Sequence, residues 1–120
     1  MLKKQYRLKS RRAFKATYNN NHSVANNIIV LYIGHKRDDK NCPTRVGFVV
    51  SKKVHKRAVV RNRVKRQMRE SIRLLIQKNN LNVEYQSLIF MARSAILEKS
   101  NTEIKNSIEA LYRKVANKNI

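Results

Sequence analysis

The sequence predicts an α+β fold, and three observations predict it. Short β-branched and aromatic runs recur at residues 28–33, 45–51 and 87–92. Between the second and third lies a long stretch, 58–78, whose apolar residues fall at helical spacing. A further helical stripe, Ile104, Ile108, Leu111 and Val115, closes the chain. With one helix ahead of the first strand, the order is helix, strand, strand, helix, strand, helix. That order fits a compact two-layer sandwich.

Each element has its own local warrant. Ser10 is an N-cap for a helix over 11–19. Arg11 and Arg12 stand in its first turn, where cations oppose the helix dipole; a neighbouring phosphate would resolve that conflict. The Asn-rich stretch 19–22 reads as a turn. In 28–33, period two places Ile28, Val30 and Tyr32 on one face and Ile29, Leu31 and Ile33 on the other. Both faces are apolar, so either helices cover both or one face binds something. Residues 34–43 form a polar loop, and 45–51 a strand with Val46, Phe48 and Val50 on one side. The helix over 58–78 carries Val60, Val64, Met68 and Leu75 on its stripe, with Ser71 and Ile72 filling the gap. Ser100-x-x-Glu103 is a capping box for the last helix.

The chain of 120 residues carries 28 Lys and Arg against 7 Asp and Glu, a formal charge of +21. One domain spanning 1–120 is expected at this length, and a hydrophobic content of 42% supports a packed core. So much like charge repels itself, and a polyanion would relieve it. Nucleic acid is the first partner class implied and an anionic membrane surface the second. The charge is also uneven: residues 1–69 hold 20 basic and 2 acidic residues, residues 70–120 only 8 and 5. No Pro-, Gly- or Ser-rich linker separates the two parts, so this is one domain with a charged side.

Several classes are excluded. A lone cysteine, Cys42, forms no internal disulfide and points to a reducing compartment. No apolar leader follows Lys3 and Lys4, and the longest apolar run, 28–33, is far too short to span a bilayer. With only Gly34 and Gly47, no glycine-rich phosphate loop exists. His22, His35 and His55 are scattered and no zinc spacing occurs. Asp38 and Asp39 are adjacent in a loop and read as a turn. No triad or spaced carboxylate pair is present, so neither a catalytic residue nor a metal site is expected in this chain.

The densest signal is RNRVKRQMRESIR, from Arg61 to Arg73. At 100° per residue, Asn62, Arg66, Arg69 and Arg73 share one face. Lys65 borders it, and Arg61 and Arg63 flank the apolar stripe on its two sides. The pairs Arg61/Lys65, Lys65/Arg69 and Arg69/Arg73 place like charges four apart, each costing about 0.2–0.5 kcal/mol in an isolated helix. Only Glu70 gives relief. Lys52, Lys53, Lys56 and Arg57 precede this run. A solvated polar face is the plain reading, but this density points to phosphate binding, and guanidinium forks fit phosphate oxygens. Phe14 and Tyr18 share a face of the first helix, and Tyr32 lies on the adjoining strand. These rings are either core or a stacking platform for unpaired bases; the pattern leaves both open. Tyr6 and Phe48 read as packing.

These same residues carry a resemblance. RVGFVVSKK (45–53), then Arg57-Ala58, then RNRVKRQMRESIR, strongly resembles the bacterial ribonuclease P protein family. RLKSRRAFKATY, SVANNIIVLY and the LIFMAR strand add to it, so the likeness runs from about Tyr6 to Val115. Many members have Gly where this chain has His55, and no role is carried to His55 or Lys56. The resemblance implies a sheet of about four strands with three helices, the extra strand falling near 23–26. It also implies a left-handed βαβ crossover, an exception to the right-handed rule. Similar domains are the second domain of a small ribosomal-subunit protein and the fourth of elongation factor G.

Functionally, the resemblance implies the protein component of a cytoplasmic ribonucleoprotein that removes the 5′ leader of precursor tRNA. The RNA subunit would perform the hydrolysis with Mg²⁺, and the protein would lower the Mg²⁺ requirement. Its basic helix would bind the RNA subunit through Arg61, Asn62, Arg63, Lys65, Arg66, Arg69 and Arg73. Lys52, Lys53, Arg11 and Arg12 would add cationic contacts. Phe14, Tyr18 and Tyr32 would line a groove for the single-stranded leader. The rivals are a general RNA-binding or ribosome-associated protein without leader preference, and a cationic membrane-surface protein. Asn62 within the charged face and the β elements argue against the latter.

Overall fold

The computed structural model describes residues 3–36, 43–79 and 84–116. Asp38, Asp39 and Cys42 lie outside the described residues. Helix α1 spans Arg11–Asn19, and Ser10 caps it, its Oγ accepting from Ala13 N at 3.4 Å. The Asn turn follows. Asn21 takes a left-handed φ of 53°, which Asn tolerates better than most residues. Asn20 Nδ2 donates to Ile33 O at 3.0 Å, fastening the turn to the sheet.

Strands β1 (His22–Ala25), β2 (Ile29–Ile33), β3 (Arg45–Val49) and β4 (Ser87–Ala92) make one sheet in the order β1-β2-β4-β3. The pairs β1–β2 and β2–β4 are antiparallel, while β3 and β4 are parallel. Helix α2 (Ala58–Asn79) joins β3 to its parallel neighbour β4 and so forms a βαβ crossover. Helix α3 (Asn101–Ala116) closes the fold. The β1 strand supplies the fourth strand expected near 23–26.

Two sequence expectations shift. Strand β2 starts at Ile29, not Ile28, because Asn26 Oδ1 accepts from Ile28 N at 3.1 Å and Ile29 N at 2.9 Å. That turn breaks the alternation. Ile28 therefore leaves the Val30/Tyr32 face and joins the main core, 1% exposed. Strand β3 ends at Val49 rather than Ser51, since the chain turns there, with Val54 N bonded to Ser51 O. Val50 is still buried.

The core lies between one sheet face and helices α2 and α3. Ile29, Leu31, Ile33, Val46, Leu88, Phe90 and Ala92 meet Val64, Met68, Ile72 and Leu75 of α2 and Ile104, Ile108, Leu111 and Val115 of α3. A 3-10 turn at Ser94–Glu98, which no periodicity announced, adds Ile96. The opposite sheet face receives α1 over β4 and β2. There Thr17 Oγ1 and Ser87 Oγ share a buried hydrogen bond of 2.6 Å. Both faces are thus partnered, but α1 is short, and Val30, Tyr32, Val49 and Met91 remain half-buried.

Candidate nucleic-acid interface

The edge strand β3 sets the site. Ahead of α1, the chain runs alongside β3: Arg7 pairs with Val46 in a parallel bridge, and Leu8 N donates to Val46 O at 2.9 Å. Leu8 is buried, so its neighbours Arg7 and Lys9 point away from the packed side. On the other side of β3 stands α2. Between these walls lies a groove of about 250 Å³ lined by Arg7, Lys9, Phe14, Gly47, Phe48, Lys65 and Arg69 among others.

Its floor depends on Gly47. A Cβ there would come within 2.5 Å of Phe14 Cζ and 2.7 Å of Phe14 Cε1. The Phe14 ring therefore lies directly against bare backbone, half-exposed, with Lys65 and Arg69 across from it. One turn along α1, Tyr18 meets Tyr32 edge-on at 4.9 Å between centroids. Partial burial, and then the neighbouring Tyr32 hydroxyl, raise the Tyr18 pKa above its ordinary value. The three rings lie on the face of the sheet opposite the main core. Phe48, by contrast, stacks on Phe90 at 5.9 Å and is anchored in packing.

The cations of α2 divide. Lys65 and Arg69 face the β3 groove. Arg63 and Arg66 face a second groove between α2 and α3. Asn62 is exposed on the crest. Arg61 turns back: its Nη1 donates to His55 O at 3.0 Å and Lys56 O at 2.7 Å, tying the first turn of α2 to the preceding loop. Arg73 is held by Glu70, with Nε to Oε2 at 2.9 Å. That hydrogen bond lowers the Glu70 pKa and raises that of Arg73. Arg11, Arg12, Lys52 and Lys53 are exposed and lie outside the lining of either groove. Arg7, Lys9 and Gly47 are the site residues that sequence reasoning missed. The alternation Arg7-Leu8-Lys9 was a usable signal, although too short to register as an element.

Among the described residues, no three His, Cys, Asp or Glu side chains gather to hold a metal ion. No helix among the described residues is long and apolar enough to cross a membrane. What the arrangement can do is bind an anionic chain: rings offer flat surfaces to bases while guanidinium and ammonium groups meet phosphates.

Fold and groove together define a small basic α+β module shaped to receive a polyanionic strand. Comparison with known proteins narrows this. The family model described as Ribonuclease P matches residues 2–116. The ribonuclease P protein component of Symbiobacterium thermophilum is 40% identical over 92% of this chain and 91% of its own length. That of Clostridium kluyveri is 43% identical over 91% and 93%. Among solved structures, a mutant Staphylococcus aureus RNase P protein superposes with a TM-score of 0.74, at 32% identity, covering 92% of this chain and 87% of that one. The chain belongs to the ribonuclease P protein family. Proteins of this family are components of the endoribonuclease that matures the 5′ ends of tRNA together with an RNA subunit.

Proposed function

We propose that the chain acts as a single RNA-binding domain that grips two RNAs of the holoenzyme. The crest and flanks of α2 bind the RNA subunit, through Asn62, Arg63 and Arg66 with help from Lys52, Lys53, Arg11 and Arg12. Arg61 and Arg73 contribute mainly by shaping the two ends of this surface. The groove beside β3 takes the single-stranded 5′ leader of precursor tRNA, with Phe14, Tyr18 and Tyr32 stacking on bases and Lys65 and Arg69 on phosphates. The observation that carries this reading is the seating of the Phe14 ring on Gly47 beneath Lys65 and Arg69.

Hydrolysis is then the work of the RNA subunit and its Mg²⁺. The protein supplies fixed cations that screen phosphate repulsion, so less Mg²⁺ is needed to bring the RNAs together. A cytoplasmic location follows from the substrate. Reconstitution tests the whole reading: protein, ribonuclease P RNA and precursor tRNA are mixed at low Mg²⁺ and leader release is followed. Cleavage should need both components. A folded protein that gives no rescue with its cognate RNA would make a general RNA-binder the better account. Phe14→Ala or Tyr32→Ala should weaken leader-bearing substrate more than mature tRNA; equal losses would return these rings to simple packing.

A further inference from the structure

The groove between α2 and α3 is the larger of the two, about 600 Å³, and the sequence motif on α2 makes only one of its walls. Arg63 and Arg66 stand on that wall and Lys105 of α3 on the other. None of the three side chains has a hydrogen-bond or ion-pair partner among the described residues. The one acid in the lining, Glu70, is already taken by Arg73. Gln67 Nε2 donates to Asn101 Oδ1 across the groove, fixing the spacing of the walls, and Thr102 adds a hydroxyl.

This groove is a different kind of surface from the one beside β3. No aromatic ring lines it, so unpaired bases find no platform. Its amides and hydroxyls suit ribose 2′-hydroxyls and phosphate oxygens, the groups that a folded RNA presents on its outside. Arg63 and Lys65 also stand about 160° apart around the helix axis, at 100° per residue. One strand cannot engage both. We propose that the α2–α3 groove holds backbone of the folded RNA subunit, with Lys105 a phosphate ligand opposite Arg63 and Arg66. The RNA-subunit interface thereby extends onto α3, and α2 becomes a partition between two RNA chains. This rests on the reading of α2 given under Proposed function.

The test titrates ribonuclease P RNA alone with protein at several salt concentrations. Lys105→Ala should weaken binding by about 3- to 10-fold and make the salt dependence shallower by about one unit of slope. Lys105→Arg should restore both, and the preference for leader-bearing over mature tRNA should not change. Lys114→Ala is the control for bulk charge, since Lys114 lies nine residues further on and on the opposite side of α3; it should cost less than about 2-fold. Equal effects of Lys105→Ala and Lys114→Ala would overturn the inference, as would a loss of leader preference in Lys105→Ala. If Arg66→Ala weakens RNA binding while Lys105→Ala does not, the reading of α2 stands and its extension to α3 falls. If neither variant matters, both fall.

Discussion

Helices α2 and α3 bury equivalent apolar stripes against the same sheet, yet their polar faces are built on opposite rules. In α3, Ser100 and Glu103 form a reciprocal capping box: Glu103 N donates to Ser100 Oγ at 3.2 Å and Ser100 N to Glu103 Oε1 at 3.3 Å. Lys99 pairs with Glu103 and Arg113 with Glu109, and the last turn carries Arg113 and Lys114, where cations suit the dipole. In α2 the first turn has no acid, and cations sit four apart with a single acid among them. Helix α3 pairs both of its acids locally. Helix α2 leaves most of its cations to be satisfied by something outside the chain.

Where the two helices are alike, they should fail alike. Ile72 and Ile108 are both 0% exposed. Ile72→Ala and Ile108→Ala should each cost about 2–5 kcal/mol of unfolding free energy in denaturant titrations. A marked inequality would mean that the core is not shared evenly. The next largest effect should separate the helices. Arg63→Ala with Arg66→Ala should lower affinity for the RNA subunit about 10- to 100-fold. The same pair should leave the midpoint of thermal unfolding unchanged or slightly raised, because like-charge repulsion is relieved. A large stability loss would show that these arginines serve the fold.

The cap on α3 sharpens the contrast. Ser100→Ala should cost about 1 kcal/mol with RNA affinity intact. Hydrogen bonds from the Ser100 backbone N–H, and then from its side chain, hold the Glu103 pKa below the ordinary carboxylate value. A carboxylate with a lowered folded pKa stabilises the fold above its unfolded pKa, and that contribution disappears as pH falls through the folded value. The thermal midpoint of the parent should therefore fall more than that of Glu103→Gln on acidification below about pH 4. Smallest of all, Arg113→Ala should cost about 0.3–0.5 kcal/mol, and only at low salt. An RNA-binding defect in that variant would erase the distinction between the helices.

Much of this was legible in the sequence, because it depends on neighbours along the chain. Periodicity located α2 and α3, the cap residues Ser10 and Ser100 located the starts of α1 and α3, and β-branched runs located three strands. The density of cations in 61–73 is a local fact that no tertiary contact was needed to reveal. What only the tertiary structure decided depends on residues distant in sequence. Asn26 captured two backbone N–H groups and moved the start of β2. The absence of a side chain at Gly47 seated Phe14, which is 33 positions away. Arg7 and Lys9 joined the groove because Leu8 bonds to the edge of β3. Above all, a helical wheel presents the charges of α2 as one polar face. Packing against β3 on one side and α3 on the other divides that face into two walls of two grooves. Periodicity fixes the angle of each side chain about its own axis, while the surface it meets is set by what packs beside that axis.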